Sequence, residues 1–272
     1  MKRQKHVDGL IALITDFGTK DGFVGTMKAV ILRINPQAKV LDLTHEISPQ
    51  DLDGAAYVLW SSYSFFPDRT IFVTVVDPGV GTSRKILCAR GRKHIFLAPD
   101  NGVLKYLVTD GMVDRMWEVT NQDYFSSHQS STFHGRDIFA PIAAHLSMGL
   151  NPKNLGKPIK VPKLGREFIY LNELSGANLS GRVIYTDRFG NLITNFRFRK
   201  TKAVRTRKLR VKISNHVISV LAKSYAEGDR KHPVALINSS NLIEIGLKNG
   251  NASRSLGVGV GEKVLIEFSE KN

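Results

Sequence analysis

Residues 70–81 read TIFVTVVDPGVG. Seven apolar or β-branched residues run up to Asp77, and Pro78-Gly79 stops them. Such a run, short and closed by turn residues, reads as a buried strand with a carboxylate at its exit. The same pattern occurs on both sides of it. Upstream, Gly9 to Thr15 is apolar and ends in Asp16-Phe17-Gly18. Downstream, Ile86–Ala89 and His94–Ala98 are apolar, and Asp100-Asn101-Gly102 follows the second. Helical spacing fills the intervals. Phe23, Met27, Val30, Ile31 and Ile34 form one stripe over 22–34, ended by Pro36, and 39–44 reads as the next strand. Residues 52–66, with Ala55, Ala56, Leu59 and Trp60, and residues 137–148 also read as helices. Strands alternating with helices predict a layered α/β domain over residues 1–160.

The pattern changes after Leu150. NPKNLGKPIKVPKLG (151–165) is rich in Pro, Gly and Lys, a linker composition. We place a linker over 161–180. From Gly181 short strand-like runs follow one another: GRVIYTD, LITNF, LRVKI, HVISVL, VALINS, LIEIGL and EKVLIEF. The fold class expected is therefore α/β, with a smaller, mainly β, barrel-like domain over 181–272.

The chain has 272 residues, 42% of them hydrophobic and 23% charged, which excludes a disordered chain. Cys88 is the only cysteine, which excludes a disulfide framework and multi-cysteine metal sites and fits a reducing compartment. No apolar run reaches the roughly 18–20 residues that cross a bilayer. The stretch Leu10 to Ile14 is too short for a signal peptide, and Asp16 stands where small residues should lead to cleavage. We expect a cytoplasmic protein with no membrane partner. The net charge of +15 favours acidic partners. Nine of the residues from Arg197 to Lys212 are Lys or Arg and none is acidic. A solvated basic surface explains that run more economically than a nucleic-acid patch, because aromatic interleaving stops at Phe198.

Candidate chemistry lies at the strand ends. In open α/β sheets ligands bind outside the carboxyl ends of strands, so Asp16, Asp77 and Asp100 could face one pocket. Each alone is also ordinary turn chemistry. Phe133-His134-Gly135-Arg136-Asp137 is denser, although Asp137 by itself reads as a helix N-cap. Arg84, seven residues after Asp77, adds a cation. A carboxylate, a guanidinium and an imidazole together can bind and orient a water without metal. There is no phosphate-binding glycine loop, no HExxH and no GxSxG. The set Asp16, Asp21, Asp42 and His45 has no metal-ligand spacing, so neither metal nor cofactor is expected.

Six ordered motifs carry a family resemblance: LITDFGTKDGFVGTMKAVI, VVDPGVGTSRK, APDNG, FHGRDIFAP, DRFGNLITNF and INSSNLIEI. Together they resemble the S-adenosyl-L-methionine (SAM) hydroxide adenosyltransferases, adenosine-forming SAM hydrolases related to fluorinases and chlorinases. The resemblance runs from Leu13 to about Gly250. It implies an α/β domain, a β-barrel-like domain, and a homotrimer with active sites between subunits.

It also implies roles for residues. The catalytic Asp, Arg and His of the family fall on Asp77, Arg84 and His134. The halogenases carry tyrosine, threonine and serine at the positions of Asp77, Val80 and His134, so this chain resembles the water-using branch. Asp16 matches the ribose-binding carboxylate and Asn191 the adenine reader. Asp187 and Ser239 match groups near the methionine end, with Glu244 beside them, and Leu247 offers its backbone to adenine. Ser239-Ser240-Asn241 departs from the Ser-Gly or Ser-Ala usual before Leu-Glu-Ile. The implied reaction is hydrolysis of SAM to adenosine and L-methionine. A halogenase on the same scaffold, a nucleic-acid-binding protein and a non-turning-over adenosine binder are the alternatives.

Overall fold

A computed structural model describes residues 9–171, 178–198, 208–219 and 221–269. The chain divides into two units between Gly165 and Arg166.

The first unit alternates β1 (Leu10–Thr15), α1 (Phe23–Ile34), β2 (Lys39–Thr44), α2 (Leu52–Ser62), β3 (Ile71–Val75), β4 (Ile86–Arg90), β5 (Ile95–Pro99), α3 (Lys105–Thr109), β6 (Arg115–Val119), α4 (Ala140–Ser147) and β7 (Gly156–Ile159). Its sheet runs β2-β1-β3-β5-β4-β6-β7. The first four strands in that order are mutually parallel, while β4 is antiparallel to β5 and β6, and β7 antiparallel to β6. All five residues of β3 are buried, as its unbroken apolar run predicts. The stripe Met27, Val30 and Ile31 of α1 joins β1, β3 and α4 residues in one core. Cys88 sits in that core and burial pushes its thiol up to about 12, so it packs as a small apolar side chain.

Two expectations need correction. The linker-like stretch 151–165 contains β7, which pairs with β6 at the sheet edge. Pro158 is tolerated there because an edge strand can spare a donor. The helix expected over 137–148 begins instead as a π-type turn, Gly135–Phe139, ahead of α4. Asp137 lies inside that turn, buried, and does not cap a helix.

The second unit holds β8 (Ile169–Tyr170), β9 (Leu179–Thr186), β10 (Leu192–Arg197), β11 (Lys208–Ile213), β12 (His216–Ile218), β13 (Leu221–Ala222), β14 (Val234–Ile237), β15 (Leu242–Gly246), α5 (Ala252–Leu256) and β16 (Lys263–Ser269). Its sheet runs β12-β11-β16-β9-β10-β15-β14-β13, with β8 added beside β10. Thus the span read as linker, 161–180, already supplies strand residues to this sheet. Leu192, Phe196, Ile243, Ile245 and Ile266 belong to its separate core. Residues 199–207 of the basic run lie outside the described residues.

Candidate active site

Strand β1 ends in Thr15 and adjacent β3 ends just before Asp77, so Asp16 and Asp77 leave the sheet at the same edge. Asp77 opens a tight loop. Val80 N–H donates to the Asp77 carbonyl at 3.2 Å and Thr82 N–H to that of Gly79 at 3.1 Å. Gly81 has φ +78°, and a Cβ there would stand 2.5 Å from the Ser131 carbonyl oxygen. The glycine therefore lets the Asp77 loop lie against the segment that carries His134.

Arg84 returns across this loop. Its Nε donates to Asp77 Oδ1 and Oδ2 at 3.1 and 2.9 Å, and its Nη2 to Oδ2 at 2.6 Å. The same Nη2 lies 2.7 Å from His134 Nδ1. A guanidinium has donors only, so His134 Nδ1 accepts, and the neutral ring carries its proton on Nε2. Burial, and next the Arg84 cation, hold the His134 pKa below the ordinary histidine value, against the opposing pull of Asp77 and Asp137. The side chains of Arg84 and Asp77 are only 11% and 5% exposed. This is a partly buried, fork-shaped pair, not a surface ion pair.

Aromatic packing braces the surroundings. Phe17, Phe23 and Phe133 form a triangle with ring centroids 5.2–5.9 Å apart. Phe17 follows Asp16, and Phe133 precedes His134. Asp16 Oδ2 accepts from Gln50 N–H at 2.8 Å. The loop behind it is held by His45, whose Nδ1 lies 2.8 Å from Thr15 Oγ1 and whose carbonyl accepts from Gly18 N–H at 2.8 Å. Asp42 stands 3.0 Å from His45 Nε2, out of hydrogen-bond alignment, and binds Lys28 at 2.5 Å. Asp42 and His45 are therefore structural neighbours within a loop brace. Among the described residues no three His, Cys, Asp or Glu are grouped to hold a metal ion. Asp100 is exposed at the end of β5, where its N–H donates to the Lys85 carbonyl at 2.9 Å. Asp137 faces Arg136, at 2.6 Å, and accepts from Ser130 N–H, fixing the loop before His134.

The second unit gathers the remaining candidates. Asp187 sits in the β9–β10 turn, where its Oδ1 accepts from the backbone N–H of Phe189 and Asn191. Gly190 holds φ +83° there, against the Asn251 side chain. The Asn191 amide donates to Asp187 Oδ2 at 2.9 Å and to Tyr225 Oη at 3.4 Å. Both its N–H groups are thereby occupied, leaving Oδ1 as the group free to read a ligand. The Tyr225 hydroxyl in turn donates to Glu244 Oε1, and Asn238 donates to Oε2 at 3.1 Å. Burial, reinforced by the Asp187 charge, raises the Glu244 pKa, while the Tyr225 and Asn238 hydrogen bonds oppose it. Ser239 is exposed in the turn that Asn238 organises. Leu247 is buried in the core, so only its backbone can serve a ligand. Tyr225 and Asn238 escaped the sequence reading. Tyr225 lies in a short 3-10 turn without periodic signal, and Asn238 looks like plain turn chemistry.

Two units, with the Asp77–Arg84–His134 chain at the strand ends of the first and a network of Glu244, Asn191 and the exposed Tyr225 in the second, make up a two-domain α/β-plus-β protein. Residues 11–156 match the family model of the SAM hydroxide adenosyltransferase N-terminal domain, and 181–265 that of its C-terminal domain. The chain belongs to the SAM hydroxide adenosyltransferase family. It is 34% identical to the (R)-S-adenosyl-L-methionine hydrolase of Thermus thermophilus, over 94% of this chain and 98% of that protein. It is 33% identical to the protein of the same name from Methanocaldococcus jannaschii, over 95% and 96%. A fluorinase of Actinoplanes sp. is 28% identical over 68% of this chain and 71% of its own. The crystal structure of an uncharacterized conserved protein from Thermotoga maritima superposes with a TM-score of 0.83 at 36% identity, covering 94% and 99%. No helix among the described residues is long and apolar enough to cross a membrane.

Proposed function

We propose that this chain hydrolyses SAM to adenosine and L-methionine by attack of water on C5′, in line with the C5′–S bond. The Asp77–Arg84–His134 chain carries this reading. Asp77 fixes the Arg84 fork, and Arg84 fixes the His134 tautomer. The outward groups are then donors: His134 Nε2–H and the remaining guanidinium N–H. Donors aimed at one point hold a water oxygen and stabilise the hydroxide character that grows on it. The sulfonium already activates C5′ and leaves as a neutral thioether, so the reaction needs position more than a strong base. Water adds its oxygen to C5′, the C5′–S pair goes to methionine, and one proton is released. No metal or cofactor enters. A carboxylate at position 77 repels halide, which favours hydrolase over halogenase. Incubation with SAM followed by chromatography should give adenosine and methionine at a rate unchanged by EDTA. With chloride or fluoride present, mass spectrometry should find no 5′-halogenated nucleoside.

Asp16 accepts the ribose hydroxyls with the oxygen that Gln50 leaves open. Asn191 Oδ1 reads the adenine amine, and the Leu247 backbone borders the ring. Asp187, Ser239 and Glu244 face the methionine end. Replacing Asp16 by Ala should weaken adenosine binding by about 1.5–3 kcal/mol in calorimetry, the scale of a hydrogen bond to a charged group. It should leave single-turnover chemistry at saturation much less affected.

The working enzyme is a cytoplasmic homotrimer in which the first unit of one copy meets the second unit of its neighbour. Light scattering should give three times the chain mass. Co-expressed His134→Ala and Asn191→Ala chains should regain about one quarter of wild-type activity, because sites shared between subunits recombine intact halves. Sites within single chains would regain none.

A further inference from the structure

The opposite end of the first sheet concentrates positive charge that hydrolysis does not use. Arg90, the last residue of β4, pairs directly with Arg115, the first of β6. Residues paired this way put their side chains on one face, where like charges repel. Neither guanidinium has an acidic partner among the described residues. The β4–β5 turn adds Arg92 and Lys93, and Arg69 arrives just before β3. Arg69 holds a φ of 72° while its N–H donates to the Lys93 carbonyl at 2.6 Å. Among the described residues only Lys93 of these cations meets a carboxylate, Asp68, at 3.1 Å on an exposed surface.

Arg69, Arg90, Arg92 and Lys93 frame a cleft of about 540 Å³ whose lining contains no Asp or Glu. That volume suits a small molecule. His94 stands in its wall, 4% exposed, with no hydrogen-bond partner for Nδ1. The same His94 lines an adjoining hollow of about 530 Å³ with Tyr63, Phe66 and Phe96, and with the carboxylates Asp68 and Asp110 at its wall. A cationic cleft and an aromatic hollow thus share one turn, residues 91–94.

We propose that this end of the sheet binds a phosphorylated nucleoside, its phosphates on Arg69, Arg90 and Arg92 of the cleft and on Arg115, which with Arg90 and Arg92 lines a further hollow that also carries Asp114, and its ring in the aromatic hollow. Phosphate oxygens between Arg90 and Arg115 would turn a cross-strand repulsion into two charge-assisted hydrogen bonds. The recessed rings suit one base. Only the half-buried Tyr63 and Phe66 offer it a face, since Phe96 is 1% exposed, and two rings are too few for the row of open stacking faces that a nucleic-acid strand needs. The Asp77 site lies beyond the far end of the strands, roughly 17 Å away for five residues. The two sites can therefore be tested separately.

The test is calorimetric titration of the full chain with GTP, whose base keeps it from imitating the adenosine product. We expect saturable one-site binding, competition by tripolyphosphate, and no binding by guanosine. The double substitution Arg90→Gln/Arg115→Gln should weaken GTP binding roughly tenfold or more with SAM hydrolysis unchanged. Arg92→Gln, on the turn itself, repeats the test should the double variant fail to fold. Non-saturable GTP binding, unchanged affinity in folded variants, or an affinity that grows with RNA length and resists tripolyphosphate would each overturn the proposal.

Discussion

Replacing Arg84 by Ala should lower the turnover of SAM by about 10²–10³-fold, the scale of losing a preorganised donor to a developing oxyanion. Four hydrogen bonds vanish together: three from the fork to Asp77 and the one to His134 Nδ1. The His134 ring is then free to take either tautomer. The variant also leaves Asp77, 5% exposed, without its cation. Breaking a buried pair in this way costs about 3–5 kcal/mol of stability. Arg84→Lys separates the two effects. It keeps a charge near Asp77 but lacks the planar fork that serves carboxylate and imidazole at once. We expect Arg84→Lys to melt close to wild type and still to lose most of the turnover. Adenosine affinity should stay near wild type in the lysine variant, because the proposed role of Arg84 is toward the water and not the nucleoside. Differential scanning calorimetry and single-turnover kinetics measure the two quantities. Full activity in Arg84→Lys would show that only charge is needed and that the tautomer argument is wrong.

Much of this site was legible because its residues sit at punctuation. Asp16 and Asp77 end apolar runs, and a carboxylate between a β-branched strand and a glycine turn stands out against its background. Arg84 was less secure. From sequence it reads equally well as a loop cation, and its 11% exposure and its fork onto Asp77 show only that it is not a surface ion pair. The Nδ1–guanidinium contact was invisible, because it depends on two loops 50 residues apart that meet through the glycine at 81. The π-type turn at 135–139 also left no periodic trace, since one turn of wider helix does not shift an apolar stripe detectably. Strand β7 was hidden by its own composition: Gly, Lys and Pro at a sheet edge look like a linker until the pairing with β6 is seen. The Arg90–Arg115 pair needed register as well. The residues are 25 apart in a sequence where basic residues are common, and nothing local marks them as opposed.

The tautomer has a consequence in pH. The neutral ring of His134 accepts at Nδ1 from Arg84, and in the proposed reaction its Nε2–H holds the attacking water. Protonation places a second donor and a second positive charge against the Arg84 guanidinium, 2.7 Å away, and the contact breaks. Burial and Arg84 lower the His134 pKa, so the neutral ring prevails at pH 7 and above. Turnover should therefore be level from neutral pH upward. It should fall as pH drops through the depressed His134 pKa, approaching about tenfold per unit. A general-base histidine with a raised pKa would put that limb above neutrality. Asp77→Asn provides the sign test. The Asp77 charge favours imidazolium and raises the His134 pKa against the larger lowering effects. Its removal should move the acid limb to lower pH while slowing the reaction, because the Arg84 fork loses its anchor. His134→Asn should abolish the limb, leaving a slow rate that barely depends on pH over the same range. Profiles of kcat across pH 4–9 for the three proteins, with His134 followed by NMR, would decide the point. A limb that moved upward in Asp77→Asn, or that survived in His134→Asn, would assign the titration to another group, with Glu244 and its raised pKa the first to examine.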